Sequence, residues 1–72
     1  MSNNFRRGQH VSWKWGQGKG EGVVAEKFCR RVQRTIKGEK IIRKGNDDNP
    51  AYLVDSDSGA QVLKLGSELG KV

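Results

Sequence analysis

Four glycines on alternate positions, Gly16, Gly18, Gly20 and Gly22, follow directly on His10-Val11-Ser12-Trp13-Lys14-Trp15. Val11, Trp13 and Trp15 recur at period two, the spacing that puts side chains on one face of a strand. Glycine gives a strand nothing to pack, so at this density it predicts a break in the ladder, a turn or bulge where two strands reverse. The chain is therefore expected to open as β structure and to turn back on itself at the glycines.

The next segment is ambiguous by period alone. Val24, Phe28, Val32 and Ile36 recur every fourth residue, which fits a helical stripe, and they also share one parity, which fits a strand. Composition arbitrates: Val23, Val24, Val32, Thr35 and Ile36 are β-branched, and no N-cap residue follows the glycines. A long strand from Val23 to Lys37 with a bulge near Phe28–Arg31 is the expectation. Lys37-Gly38-Glu39 then supplies a hairpin turn into a strand over Lys40–Lys44. Gly45 to Pro50 is a turn cluster, Ala51–Ser56 a strand, Asp57-Ser58-Gly59 a tight reversal and Gln61–Leu65 its partner. Ser67-Glu68-Leu69 closes the domain in a short turn. About five strands and no helix predict an all-β fold, a small antiparallel barrel whose closure protects its edges.

The material for a core is scant. The 72 residues include seven Val, three Ile, four Leu and two Phe, just above the roughly 20% below which a charged chain tends to stay disordered. One lightly cored domain over residues 8–72 is expected, behind a flexible N-terminus at 1–7 from which Phe5 folds back onto the core. One Cys and one His rule out a disulfide framework and a Cys/His zinc site. No apolar run has membrane-spanning length and no secretory signal opens the chain, so a soluble, cytoplasmic, monomeric module is expected.

Charge is divided unevenly. Residues 1–44 carry twelve basic and three acidic side chains, residues 45–72 two basic and five acidic. Most of the excess lies in Lys27, Arg30, Arg31, Arg34, Lys37, Lys40, Arg43 and Lys44. Such a stretch reads either as a solvated surface or as a site for an acidic partner, nucleic acid above all. Its arginines, which fork onto phosphate oxygens, favour the second reading. Alternation along a strand places Arg30 and Arg34 opposite Arg31, so the set can divide between two faces.

The run Gly8-Gln-His-Val-Ser-Trp-Lys-Trp-Gly-Gln-Gly, then Arg34-Thr-Ile-Lys-Gly, Asp48-Asn-Pro-Ala-Tyr-Leu-Val and Val62-Leu-Lys-Leu-Gly-Ser-Glu-Leu, resembles the hypervirulence-associated Tudor-like domain family of small bacterial and fungal proteins. The resemblance runs from Phe5 to Val72, with Gln9 where members usually have Asp and Gly66 where they often have Ala. It implies a Tudor-like, SH3-like barrel, with the ambiguous segment as strand, and no established activity. Gly8-x-x-Val11 with Gly18-Lys-Gly-Glu-Gly-Val-Val is also similar to the KOW motif, whose barrels often touch RNA.

Signals for catalysis are weak. There is no Gly-x-Ser-x-Gly elbow. Cys29 adjoins Arg30 and Arg31, with His10 as its one potential histidine partner. In a P-loop frame, Trp13 replaces the first glycine and Gly20 the magnesium-binding hydroxyl. Asp55-Ser-Asp57-Ser-Gly59 mimics a calcium loop, but position twelve is Gly66, not Glu. No catalytic residue, metal ligand or cofactor is assigned. Trp13 reads as core. Trp15 and Tyr52 read as an aromatic platform at the barrel rim. The expected function is nucleic-acid binding through the basic hairpin with little sequence specificity, with Trp15 stacking on a base. The alternative is a protein-interaction module that holds a peptide or acidic partner at Trp15 and Tyr52.

Overall fold

The computed structural model describes residues 4–72. Seven strands follow one another: β1 His10–Trp15, β2 Gly18–Phe28, β3 Arg31–Ile36, β4 Glu39–Lys44, β5 Ala51–Ser56, β6 Gln61–Leu65 and the two-residue β7 Gly70–Lys71. A single 3₁₀ turn, Gly66–Glu68, links the last two. The strands form two antiparallel sheets, one of five strands in the order β6-β5-β2-β1-β7 and a separate β3–β4 hairpin. The all-β expectation holds. The small barrel of about five strands is borne out only in part: the strands are antiparallel throughout, but among the described residues β3 and β4 pair only with each other.

The glycines correct a second expectation. Only Gly16 and Gln17 turn, and Gly18, Gly20 and Gly22 sit in an unbroken ladder opposite Trp15, Trp13 and Val11. The partner strand supplies what they lack. A Cβ on Gly20 would stand 2.5 Å from Trp13 Cε2, and one on Gly18 would stand 3.1 Å from Trp15 Cζ2. Each indole lies across the glycine opposite, filling the space a side chain would take.

The long strand expected over Val23–Lys37 is two strands. The chain bends at Cys29 and Arg30 and passes from one sheet to the other there, while the bulge lies earlier, between Val24 and Glu26. The β3–β4 turn is as expected: Lys37 (φ 51°) and Gly38 (φ 80°) both take positive φ, the signature of a two-residue hairpin loop.

β5 is the central plank. Ala51 and Leu53 face one way, Tyr52 and Val54 the other, and all four are buried. Tyr52 and Val54 join Phe5, Val11, Trp13 and Val24 in one cluster. Ala51 and Leu53 join Val32 and Leu63 in a second, which Phe28, Ile36, Ile41 and Leu65 cover. The hairpin is thus fastened by its apolar inner face. Phe5 does fold back, as expected, and its ring meets Tyr52 edge-on at 5.5 Å. Residues 1–3 of the expected flexible N-terminus lie outside the described residues.

Chain length forces the five-stranded sheet to curl. β6 and β7 form its two edges, which in a flat sheet would stand roughly 19 Å apart. From Leu65 to Gly70 the chain, wound through the 3₁₀ turn, reaches only roughly 13 Å. The 3₁₀ turn is tied down at several points. Gly66 N–H donates to Pro50 O (2.8 Å), and Ser67 N–H donates to Asn49 Oδ1 (2.8 Å). Glu68 Oε1 accepts from Leu65 N–H (2.8 Å) and from Arg43 Nε (3.3 Å). Glu68→Ala is therefore expected to destabilise the domain by about 1–2 kcal/mol in urea unfolding, since both donors turn to water. No change would mean that the backbone bonds alone hold the turn.

Candidate nucleic-acid interface

Alternation sorts the hairpin into two faces. Val32, Arg34 and Ile36 on β3, with Ile41 and Arg43 on β4, point inward and are buried or half-buried. Arg31, Gln33, Thr35, Lys40, Ile42 and Lys44 point outward, and all six are exposed. They stand opposite one another as the pairs Arg31–Lys44, Gln33–Ile42 and Thr35–Lys40. The apolar inner residues decide which set faces solvent, because Val32, Ile36 and Ile41 must cover Leu53 and Leu63.

The eight basic residues named from sequence are therefore not one patch. Arg31, Lys40 and Lys44 share the outward face, with Lys37 at the exposed tip. None of these four makes an ion pair among the described residues. Arg43 turns inward to Glu68. Arg34 lies inward, with its guanidinium 4.8 Å from the Phe28 centroid and Nη2 3.8 Å from Glu26 Oε2. Arg30, in the bend, lies over the same ring at 5.6 Å. Two guanidiniums on one phenyl ring are cation–π contacts of roughly 0.5–1 kcal/mol each at exposed positions. Lys27 stands on β2, and its Nζ donates to Asn4 Oδ1 at 2.9 Å.

The aromatic platform separates as well. Trp15 is 62% exposed, its ring against Gly18 at the end of β1. Tyr52 is 0% exposed, so it is no part of a rim. Its hydroxyl accepts from the buried N–H of Phe5 at 2.8 Å. Both faces of β5 are covered, and Tyr52 faces the Trp13 cluster. Trp13 is core, as expected. Beside Trp15 lies an open concavity with Lys19, Asp57, Val62 and Lys64 on its walls.

One grouping was invisible in the sequence. His10 Nε2 stands 3.8 Å from Glu21 Oε1 and 3.5 Å from Asp57 Oδ2. The β1–β2 register sets His10 diagonal to Glu21, and Asp57 N–H donates to Glu21 O at 2.9 Å. A donor atom from each lies within 4.8 Å of the others. These separations exceed the roughly 3 Å between ligand atoms that bond lengths near 2 Å produce around one ion. Cys29 is exposed in the bend between β2 and β3. No helix among the described residues is long and apolar enough to cross a membrane.

No match was found among curated proteins or among solved structures. Residues 8–69, from the turn before β1 to the end of the 3₁₀ turn, match the hypervirulence associated proteins TUDOR domain. That span takes in β1 to β6, with the tryptophan–glycine ladder and the basic hairpin. The chain belongs to the hypervirulence-associated Tudor domain family.

Proposed function

We propose that this domain is a non-enzymatic binding module that holds nucleic acid through the outward face of the β3–β4 hairpin. The make-up of that face carries the reading: six exposed side chains, three of them cations and none acidic. Lys37 at the exposed tip extends it. Glu26 stands at Arg34 and Glu68 at Arg43, and Glu39, exposed at the start of β4, pairs with Ile36 on the parity of the inner face. Phosphate contacts supply the affinity, and its mark is a steep dependence on salt.

The test is fluorescence anisotropy with a labelled DNA duplex over a range of salt. Four phosphate contacts give a log–log slope of about −4, and Arg31→Gln, Lys40→Gln and Lys44→Gln together should flatten it by about 3. Trp15→Ala in the same assay should leave the slope unchanged. Absence of binding near 50 mM salt, where such contacts are strong, would sink the reading. The exposure of Trp15 supports a second reading, a peptide partner held beside that ring. Binding lost with Trp15→Ala but kept in the triple variant would favour it.

A further inference from the structure

The outward face is not uniformly basic, and its pattern says more than its charge. Arg31 and Lys44 face each other at one end, and Lys40 stands near the other beside the tip residue Lys37. Between them lies the Gln33–Ile42 pair, with Thr35 across from Lys40, and all three are uncharged and exposed. Lys40 and Lys44 are four residues apart on one strand, roughly 14 Å at strand rise. A surface that only tracked phosphates would have no reason to leave its middle neutral.

Resting on the nucleic-acid reading above, we infer that this face seats in the major groove of B-form DNA. The cations at its two ends meet the phosphate walls, and Gln33, Thr35 and Ile42 meet the base edges. The groove is about 12 Å wide and admits a two-stranded β-ribbon, so end cations roughly 14 Å apart straddle it. The residue types in the middle suit base edges. A glutamine amide donates and accepts together, as adenine N7 and N6 require, a threonine hydroxyl pairs with either kind of edge, and an isoleucine packs on a thymine methyl. The ribbon is also braced for this, because its other face is fixed on Leu53 and Leu63. The ligand class is duplex DNA, with a modest preference for A·T-containing sites.

The inference is tested by amide-resolved NMR titration of the whole chain at about 50 mM salt, where phosphate contacts are strong. Three probes are used: a DNA duplex of about 12 bp, just over one turn, an RNA duplex of the same sequence, and the DNA with glucosylated hydroxymethylcytosines that fill the major groove but keep every phosphate. Seating in the groove predicts shifts at Gln33, Thr35 and Ile42 with plain DNA. It also predicts affinity at least about tenfold weaker for A-form RNA, whose major groove side chains cannot read, and for the filled groove. Gln33→Ala should weaken DNA binding about fivefold or more without changing the salt slope, since it touches no phosphate. Equal affinity for all three probes would overturn the groove assignment and leave phosphate binding intact. Binding to none would overturn both.

Discussion

Gly22→Ala is expected to be the most damaging single-methyl change in this domain. Gly22 pairs with Val11 on one side and Ser56 on the other. A Cβ there would run into the Asp55 carbonyl oxygen and stand 2.9 Å from Ser56 Cα. Both are backbone atoms of β5, which cannot yield as a flexible side chain does. β5 cannot slide either, because Ala51 and Leu53 are packed on one face and Tyr52 and Val54 on the other. Overpacking of this kind costs about 1–3 kcal/mol even where side chains can adjust, and a backbone collision belongs at or above the upper end. A chain of this size commonly has roughly 4–11 kcal/mol in total, so urea unfolding should show most of the margin gone. Gly20→Ala, which presses on the Trp13 indole, should fall between. Gly70→Ala should be within about 0.5 kcal/mol of the parent, because its nearest neighbour, Ser12 Oγ, would be 3.7 Å from the new carbon. Equal losses at Gly22 and Gly70 would show that strand propensity, not close approach, sets the requirement for glycine.

Tyr52 yields the second large effect, and in two separable parts. Tyr52→Ala removes the largest fully buried side chain and should destabilise by about 3–5 kcal/mol, the range for an aromatic core truncation. Tyr52→Phe keeps the ring and its edge-on contact with Phe5 but strips the acceptor from the Phe5 N–H. A buried donor left without its partner costs about 1–3 kcal/mol. The loss should be local as well as global, with amide exchange at Phe5 accelerating more than exchange at Val54, two residues along β5. If Tyr52→Phe unfolds like the parent, the hydroxyl does not anchor the N-terminal segment.

Tyr52 also shows where sequence reading falls short. Ala51-Tyr52-Leu53-Val54 is an unbroken apolar run, the mark of a strand buried on both faces, and such burial leaves no aromatic ring at a rim. Tyrosine's polar tip invites the opposite reading, yet its hydroxyl is satisfied inside, by a backbone donor 47 residues away. The glycines mislead for a related reason. Propensity describes a residue alone, whereas Gly18 and Gly20 are completed by indoles from the facing strand, and only the register reveals that. The hairpin was legible, since Lys37-Gly38 is turn chemistry and the flanking residues alternate. Its division of charge was legible only in outline. Parity separates Arg31 from Arg34 and Lys44 from Arg43, but the pairing of Arg43 with Glu68 of the 3₁₀ turn depends on a segment 25 residues away. The His10, Glu21 and Asp57 grouping likewise depends on how three segments are aligned, which no local pattern encodes.

The hairpin shares no ladder with the five-stranded sheet, and that separation bears on how such a domain can diversify. A strand inserted into a continuous ladder cannot change length without shifting the register of its neighbours. Here the attachment runs through Val32, Ile36 and Ile41 against Leu53 and Leu63, so the tip at Lys37-Gly38 and all six outward positions are free of that coupling. Lengthening the tip, reversing the charge of the outward face or rewriting its middle residues leaves the curled sheet intact. The same scaffold can therefore acquire new ligands by editing a dozen residues, with the inner apolar positions as the one fixed clause in the contract between recognition and folding.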